Sequence, residues 1–147
     1  MYTDSKSAKL TLFVTYCFMV LLVILMVFGS YILEWYYGPV MKESTFKIVM
    51  GTFYACCPAA WTALICIVSV LKNVIKEDVF TESTVKSLRI ISWCCAYVTA
   101  VCAVSGFLYP VFFIFGLGAA FMTVIMRVLK NVMATATHIK QENELTI

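Results

Sequence analysis

The sequence predicts an all-α integral membrane protein, a bundle of four transmembrane helices whose last helix extends into the cytoplasm. Hydrophobic residues make up 63% of the 147 and charged residues 13%, whereas soluble domains contain roughly half and a quarter. A domain of this size cannot hide so much apolar surface from water, so lipid must cover it. The spans are four apolar stretches in one domain, at about residues 10–35, 48–71, 90–108 and 110–127.

The first stretch has the length and borders of a membrane span. Residues 10–33 carry no charge, and about 20 apolar residues are enough to cross the hydrocarbon. Lys6 and Lys9 precede the stretch, and Tyr31 and Trp35 stand at its far end as an interfacial aromatic belt would. A cleaved signal peptide would have an apolar region of only about 7 to 15 residues and a small-residue cleavage site. We therefore interpret this stretch as a span.

The second and third stretches are separated by the longest polar connection, residues 72–89. Gly38 and Pro39 end the first span, and a short charged segment leads into the second. Pro58 lies inside the second span, where it removes one backbone hydrogen bond and predicts a kink.

The fourth stretch is short for a span. Its uncharged part, residues 111–126, follows an uncharged turn at 105–110 and lies near the lower limit of about 17 residues. Arg127 can extend its guanidinium to the headgroups, which makes the short span workable.

The distribution of basic residues predicts how the chain is oriented. The N-terminal tail has two Lys or Arg residues, the loop 72–89 four and the C-terminal tail three, against two between the first and second spans. Because basic residues are enriched on the cytoplasmic side, both termini and the loop should be cytoplasmic in a cell-membrane protein. The net charge of +3 is too small to indicate direct nucleic-acid binding.

The loop 72–89 contains the signals of a helix start. Thr81 is placed as an N-cap, with Glu82 in the first turn facing the positive end of the helix dipole. Phe80 and Val85 have the spacing of a hydrophobic staple. The sequence therefore predicts one helix that begins at about Glu82 and runs into the bilayer.

The tail, residues 128–147, is predicted to continue the fourth helix as an amphipathic helix. Its apolar residues recur at steps of three and four, namely Ile125, Val128 or Leu129, Val132, Ala136 and Ile139. This stripe could rest on the protein, on the lipid surface or on a partner. We interpret His138 as a solvated residue, because no carboxylate or second histidine is spaced to join it.

The loop and the tail also carry a family resemblance. It rests on three runs, namely Val79, Phe80 and Thr81; Arg127, Val128, Lys130 and Asn131; and Glu142, Asn143, Leu145, Thr146 and Ile147. These runs resemble the bacterial domain of unknown function 2975 family of membrane proteins. The chain has Glu77 where that family tends to have Gly, and Thr84 where it tends to have Asn. The family has no assigned biochemistry, but the frequent encoding of its members beside a helix-turn-helix regulator implies a regulatory partner.

The cysteines permit a possible buried thiol cluster. Cys56 and Cys57 match Cys102 in depth if the second and third spans are antiparallel, and Cys66 matches Cys94 or Cys95. There is no Cys-x-x-Cys motif, and buried cysteine suits close helix packing, so packing is favoured over redox or metal chemistry. No phosphate-binding glycine loop, nucleophile with a base, or metal motif occurs. We expect neither an enzyme nor a cofactor.

The sequence favours a regulatory or interaction protein whose cytoplasmic face docks a partner such as a helix-turn-helix regulator. Candidate docking residues are Phe80, Thr81, Arg89, Arg127, Lys130, Asn131, Glu142, Asn143, Leu145, Thr146 and Ile147. Gly116 with Ala120, and Gly118 with Met122, suit tight helix contact within the core or in a homo-oligomer. The alternative is a small transporter or a self-protection protein against a toxic peptide or compound, for which Glu34 is the acidic candidate.

Overall fold

The computed structural model describes residues 2–146, which form four α-helices and contain no strand within that range. The helices are α1 (Tyr2–Tyr37), α2 (Glu43–Ile75), α3 (Glu82–Leu108) and α4 (Val111–Thr146). All four are long and apolar enough to cross a membrane. The all-α prediction is confirmed, and the four helices match the four predicted spans in number. Each helix is longer than its predicted span because the flanking polar residues continue the same helix.

The helices pack in chain order as an open row. In the described part of the chain, α1 contacts α2, α2 contacts α3 and α3 contacts α4, with no contact between other helix pairs. The predicted bundle therefore has the form of an open row, and the sequence made no prediction of the packing order. Both α1 and α4 expose many large apolar residues on their outer faces. Lipid can cover such faces as well as another helix can, so α1 and α4 need not contact each other.

The turn between α3 and α4 is short. Helix α3 continues to Leu108, where the third span was predicted to end, and only Tyr109 and Pro110 connect the two helices. The Tyr109 backbone N–H donates to the carbonyl of Ser105 at 2.8 Å. Gly106 faces the Phe113 ring so closely that an added Cβ would lie 2.9 Å from ring carbons. The absence of a side chain at Gly106 thus allows the tight reversal.

Small and polar side chains form the contacts between neighbouring helices. Thr52 and Ser105 share a buried hydrogen bond of 2.6 Å between α2 and α3. Gly116 of α4 lies against Cys102 of α3, where an added Cβ would be 3.3 Å from the Cys102 Cβ. Gly118 has no atom within 4 Å of the equivalent position. Of the two glycines predicted to allow tight helix contact, Gly116 therefore makes such a contact with α3.

The first helix is attached through two side chains of α2. The Tyr54 hydroxyl donates to the carbonyl of Met26 at 2.9 Å, and the Trp61 indole N–H donates to the Met26 sulfur at 3.3 Å. Pro58 lies within α2, which is assigned as one helix through it. The predicted kink at Pro58 stays a prediction.

Candidate interaction surface where the loop meets the tail

One end of the molecule brings the loop between α2 and α3 together with the C-terminal part of α4. We call residues 76–89 and 127–146 together the loop-tail end. The opposite end, made of the turns 38–42 and 109–110, is called the turn end. All the candidate docking residues of the described chain lie at the loop-tail end.

Helix α2 ends in a hydrogen-bonded cap with a left-handed residue. The Glu77 N–H donates to the carbonyl of Val74, and the Asp78 N–H donates to the carbonyl of Asn73, both at 3.1 Å. This pairing is a Schellman cap, whose left-handed position normally holds Gly. Glu77 occupies it with φ of 59°, which costs a non-glycine residue about 1–2 kcal/mol. Glu77, where the family tends to have Gly, therefore occupies the position of this cap at which the backbone conformation most favours Gly.

Helix α3 begins with the predicted N-cap and an unpredicted link to α2. The Thr81 Oγ1 accepts the backbone N–H of Thr84 at 3.3 Å, which confirms Thr81 as the N-cap. The Asn73 Nδ2 donates to the Thr84 Oγ1 at 3.1 Å, and Thr84 is only 1% exposed. Asn73 and Thr84 were missed as a pair. The sequence signal that could have predicted this pair is a polar residue in the last turn of α2 followed by another in the first turn of α3.

A salt bridge joins the loop to the tail. The Lys140 Nζ lies 3.1 Å from the Asp78 Oδ1, 62 residues away in sequence. Both side chains are partly exposed, so the pair contributes at most about 1 kcal/mol. It nevertheless places the tail beside the loop, and the two segments form one surface.

A cleft of about 280 Å³ separates the first turns of α3 from the tail of α4. Its walls are formed by Glu82, Val85, Lys86, Arg89, Ala134, Thr137, His138 and Gln141. Within residues 2–146, neither Lys86 nor Arg89 has a carboxylate within salt-bridge distance. The buried Thr137 hydroxyl lacks a hydrogen-bond partner there. The cleft thus contains two cations without a carboxylate partner, and its wall contains a buried hydroxyl without a hydrogen-bond partner.

The predicted apolar stripe of the tail lies on the side of α4 that faces away from α3. Val128, Val132 and Ile139 are 56%, 58% and 53% exposed. The row through Ala134, Thr137 and Gln141 faces α3, because these residues line the cleft. The sequence allowed the stripe to rest on the protein itself, on the lipid surface or on a partner. At these three residues the rest of the chain does not cover the stripe.

The other docking candidates are mostly exposed. Phe80 is 45% exposed, and its predicted staple with Val85 stays a prediction. Lys130 is half-buried, and Thr146 bonds through its hydroxyl to the carbonyl of Glu142 at 2.7 Å. Ile147 lies outside the described residues. The exposed candidates are Arg89, Arg127, Asn131, Glu142, Asn143, Leu145 and Thr146.

The interpretation of His138 requires a correction. Its Nδ1 lies 3.4 Å from the Glu142 Oε1, so a carboxylate is spaced to join it. The reason is that residues four apart share a face of a helix. Both side chains remain largely exposed, so the expected surface position of His138 is confirmed.

The thiol groups that the spacing aligned do come together. Cys56 interacts with Cys57 and through a side-chain hydrogen bond with Cys102, and Cys66 lies near Cys94. All seven cysteines are free. This cluster lies within the apolar part of α2 and α3, away from the loop-tail end. Its preference for packing over chemistry stays a prediction.

Glu34 lies in the last turn of α1 at the turn end. Its side chain is exposed and lines a shallow recess with Tyr31 and Trp35. Its position near a membrane boundary stays a prediction.

Four helices of this length and composition, arranged in chain order, define a multi-pass helical membrane protein. Residues 7–147 match the family described as protein of unknown function (DUF2975), and the chain belongs to that family. The resemblance found in the loop and tail is thereby confirmed over nearly the whole sequence. No curated protein and no solved structure matches the chain.

Proposed function

We propose that this protein is a non-catalytic membrane regulator that holds a protein partner against its loop-tail end, on the cytoplasmic side. The observation that carries the proposal is the exposed stripe of Val128, Val132 and Ile139 on α4. A contiguous apolar face on a polar helix is typical of a docking surface for another protein. A helix-turn-helix regulator is the partner class that the family resemblance suggests.

The position of the stripe favours a protein over lipid as its partner. About 20 helical residues cross the hydrocarbon, so counting from Val111 puts the second boundary near Lys130. Ile139 would then stand about 13 Å beyond that boundary if α4 continues along its axis. The headgroup layer is only about 5–7 Å thick. The distal half of the stripe therefore extends past the lipid.

The test is capture of partners by the intact protein from solubilised membranes. Val132→Glu combined with Ile139→Glu places two charges on the stripe, and we expect partner recovery to fall at least ~tenfold, because a desolvated unpaired charge costs several kcal/mol. Gln141→Glu is the matched control, since it adds a charge to the tail on the side facing α3. Recovery that falls equally with both variants, or with neither, contradicts the proposal.

The second function class, a small transporter or self-protection protein, makes a different prediction. Glu34 is the acidic candidate for transport, so loss of resistance to toxic peptides or cationic compounds in cells that carry Glu34→Gln would favour a transporter. A regulator that acts through the loop-tail end predicts unchanged growth, because Glu34 lies at the turn end.

A further inference from the structure

We infer that the cleft between α3 and α4 binds the phosphate group of an anionic phospholipid headgroup. This goes beyond the proposed partner, which uses the opposite side of α4. The inference rests on three observations: the depth of the cleft, the unpaired cations in its wall, and the buried hydroxyl of Thr137.

The inner part of the cleft lies at the depth of the headgroup layer. Counting about 20 residues back from Leu108 puts the membrane boundary of α3 near Arg89. The cleft runs from that level outward to Glu82, a distance of about 10 Å along the helix. Lipid phosphates lie just outside the hydrocarbon boundary, so they stand level with the Arg89 part of the cleft.

The charges in the cleft suit a phosphate. Arg89 offers a planar fork of N–H donors that matches phosphate oxygens, and Lys86 offers a second positive charge one turn away. Glu82 is the only acidic residue among the lining residues and lies at the end farthest from the membrane. The positive part of the cleft is therefore the part nearest to the lipid. Basic pockets between transmembrane helices are known to hold anionic headgroups.

Thr137 is the second sign of a ligand. It is 5% exposed, it lines the cleft, and its hydroxyl has no hydrogen-bond partner within residues 2–146. Burying a hydroxyl without a partner is unfavourable, and native proteins rarely leave one so. A phosphate oxygen in the cleft supplies the missing acceptor.

The experiment is native mass spectrometry of the full-length protein in detergent, titrated with phosphatidylglycerol and with phosphatidylethanolamine of the same chains. We expect selective retention of phosphatidylglycerol. The double variant Lys86→Gln with Arg89→Gln should weaken it by at least about tenfold, because it removes two charge-assisted hydrogen-bond donors from the phosphate. Inorganic phosphate is titrated separately, and binding as tight as that of phosphatidylglycerol would overturn the lipid assignment.

A matched control separates the cleft from general positive charge. Lys72→Gln with Lys76→Gln removes the same charge at the same end from exposed residues that do not line the cleft. We expect this variant to bind phosphatidylglycerol like the unaltered protein. Equal loss in both double variants, or equal retention of the two lipids, overturns the inference.

Two further variants test the remaining parts of the argument. Thr137→Val keeps the shape of the side chain and removes the hydroxyl, and we expect weaker phosphatidylglycerol binding with unchanged thermal unfolding of the lipid-free protein or an increase in its midpoint. Undiminished binding would contradict the site as described. Val132→Glu with Ile139→Glu should leave lipid binding intact, so failure of the partner proposal is distinguishable from failure of this one.

Discussion

The two ends of the molecule are built differently. At the turn end, five residues (38–42) join α1 to α2 and two join α3 to α4, and the hydrogen bonds recorded in these turns are mostly between neighbouring backbone groups. At the loop-tail end, side chains join three segments: Asn73 in the last turn of α2 bonds to Thr84 of α3, and Asp78 of the loop bonds to Lys140 of α4. The helices there also continue beyond the length that a membrane requires.

This difference separates what spanning requires from what it does not. A turn that only reverses the chain needs few residues and backbone hydrogen bonds. The loop-tail end instead contains a cap with a strained residue, a cross-chain ion pair, a charged cleft and an exposed apolar stripe. These features are not needed to cross a bilayer, and a binding role explains them best.

The largest stability effect at the loop-tail end should come from Thr84→Val. The variant keeps the shape of the side chain and leaves the half-buried Asn73 amide without its acceptor and the Thr81 hydroxyl without its partner, so we expect a loss of about 1–3 kcal/mol in the free energy of unfolding. Thr99→Val is the control, because the Thr99 hydroxyl bonds only to the carbonyl of Cys95 within α3. Chemical denaturation in detergent measures both. Equal losses would mean that the Asn73 link contributes nothing.

At the turn end, the corresponding change is Gly106→Ala. The new methyl group would lie 2.9 Å from the Phe113 ring, so the tight reversal must open, at about 1–2 kcal/mol. Gly118→Ala meets nothing within 4 Å and should be neutral or stabilise the helix by up to about 1 kcal/mol. Similar results for the two glycines would contradict the close approach in the turn.

Glu77→Gly should stabilise the protein, in contrast to most substitutions. Gly removes the strain of the left-handed conformation at φ of 59°, and we expect a gain of about 1 kcal/mol in the free energy of unfolding. Glu77→Ala provides the comparison, because it removes the same charge but keeps a Cβ. A gain with Ala as large as that with Gly would assign the effect to charge.

The smallest effect concerns the Lys140 and Asp78 pair. A double-mutant cycle with Lys140→Ala and Asp78→Ala should give a coupling energy of about 0.2–1 kcal/mol that falls at high salt, because both side chains are partly exposed. A coupling energy of zero at low salt would show that this pair does not help to hold the tail beside the loop.

Much of the fold could be predicted from the sequence. Apolar length fixed the four spans, and Thr81 marked the start of α3 because N-capping depends on residues close in sequence. The open row could not be foreseen, because a helix that is apolar all round does not reveal which side meets a neighbour. The tail shows the same limit. The spacing of its apolar residues predicted a stripe, but it did not predict that α3 packs against the opposite side of α4.

The candidate site was predictable only in its parts. Charge and family-like motifs pointed to the loop and the tail, but the cleft depends on the register of α3 against α4, which brings Arg89 and Ala134 to the same cleft. Thr137 carries no sign of special importance in the sequence. Its unpartnered hydroxyl emerges only when the helices are packed.

Site-specific photo-crosslinking in cells tests the central claim most directly. A photoreactive amino acid is placed at Ile139 on the stripe and, in a second protein, at Val40, which is also an exposed apolar residue but lies at the turn end. The account predicts a discrete crosslinked protein partner from position 139 and none from position 40. A partner captured at position 40 alone, or at neither position, would contradict the claim that the loop-tail end is where this protein acts.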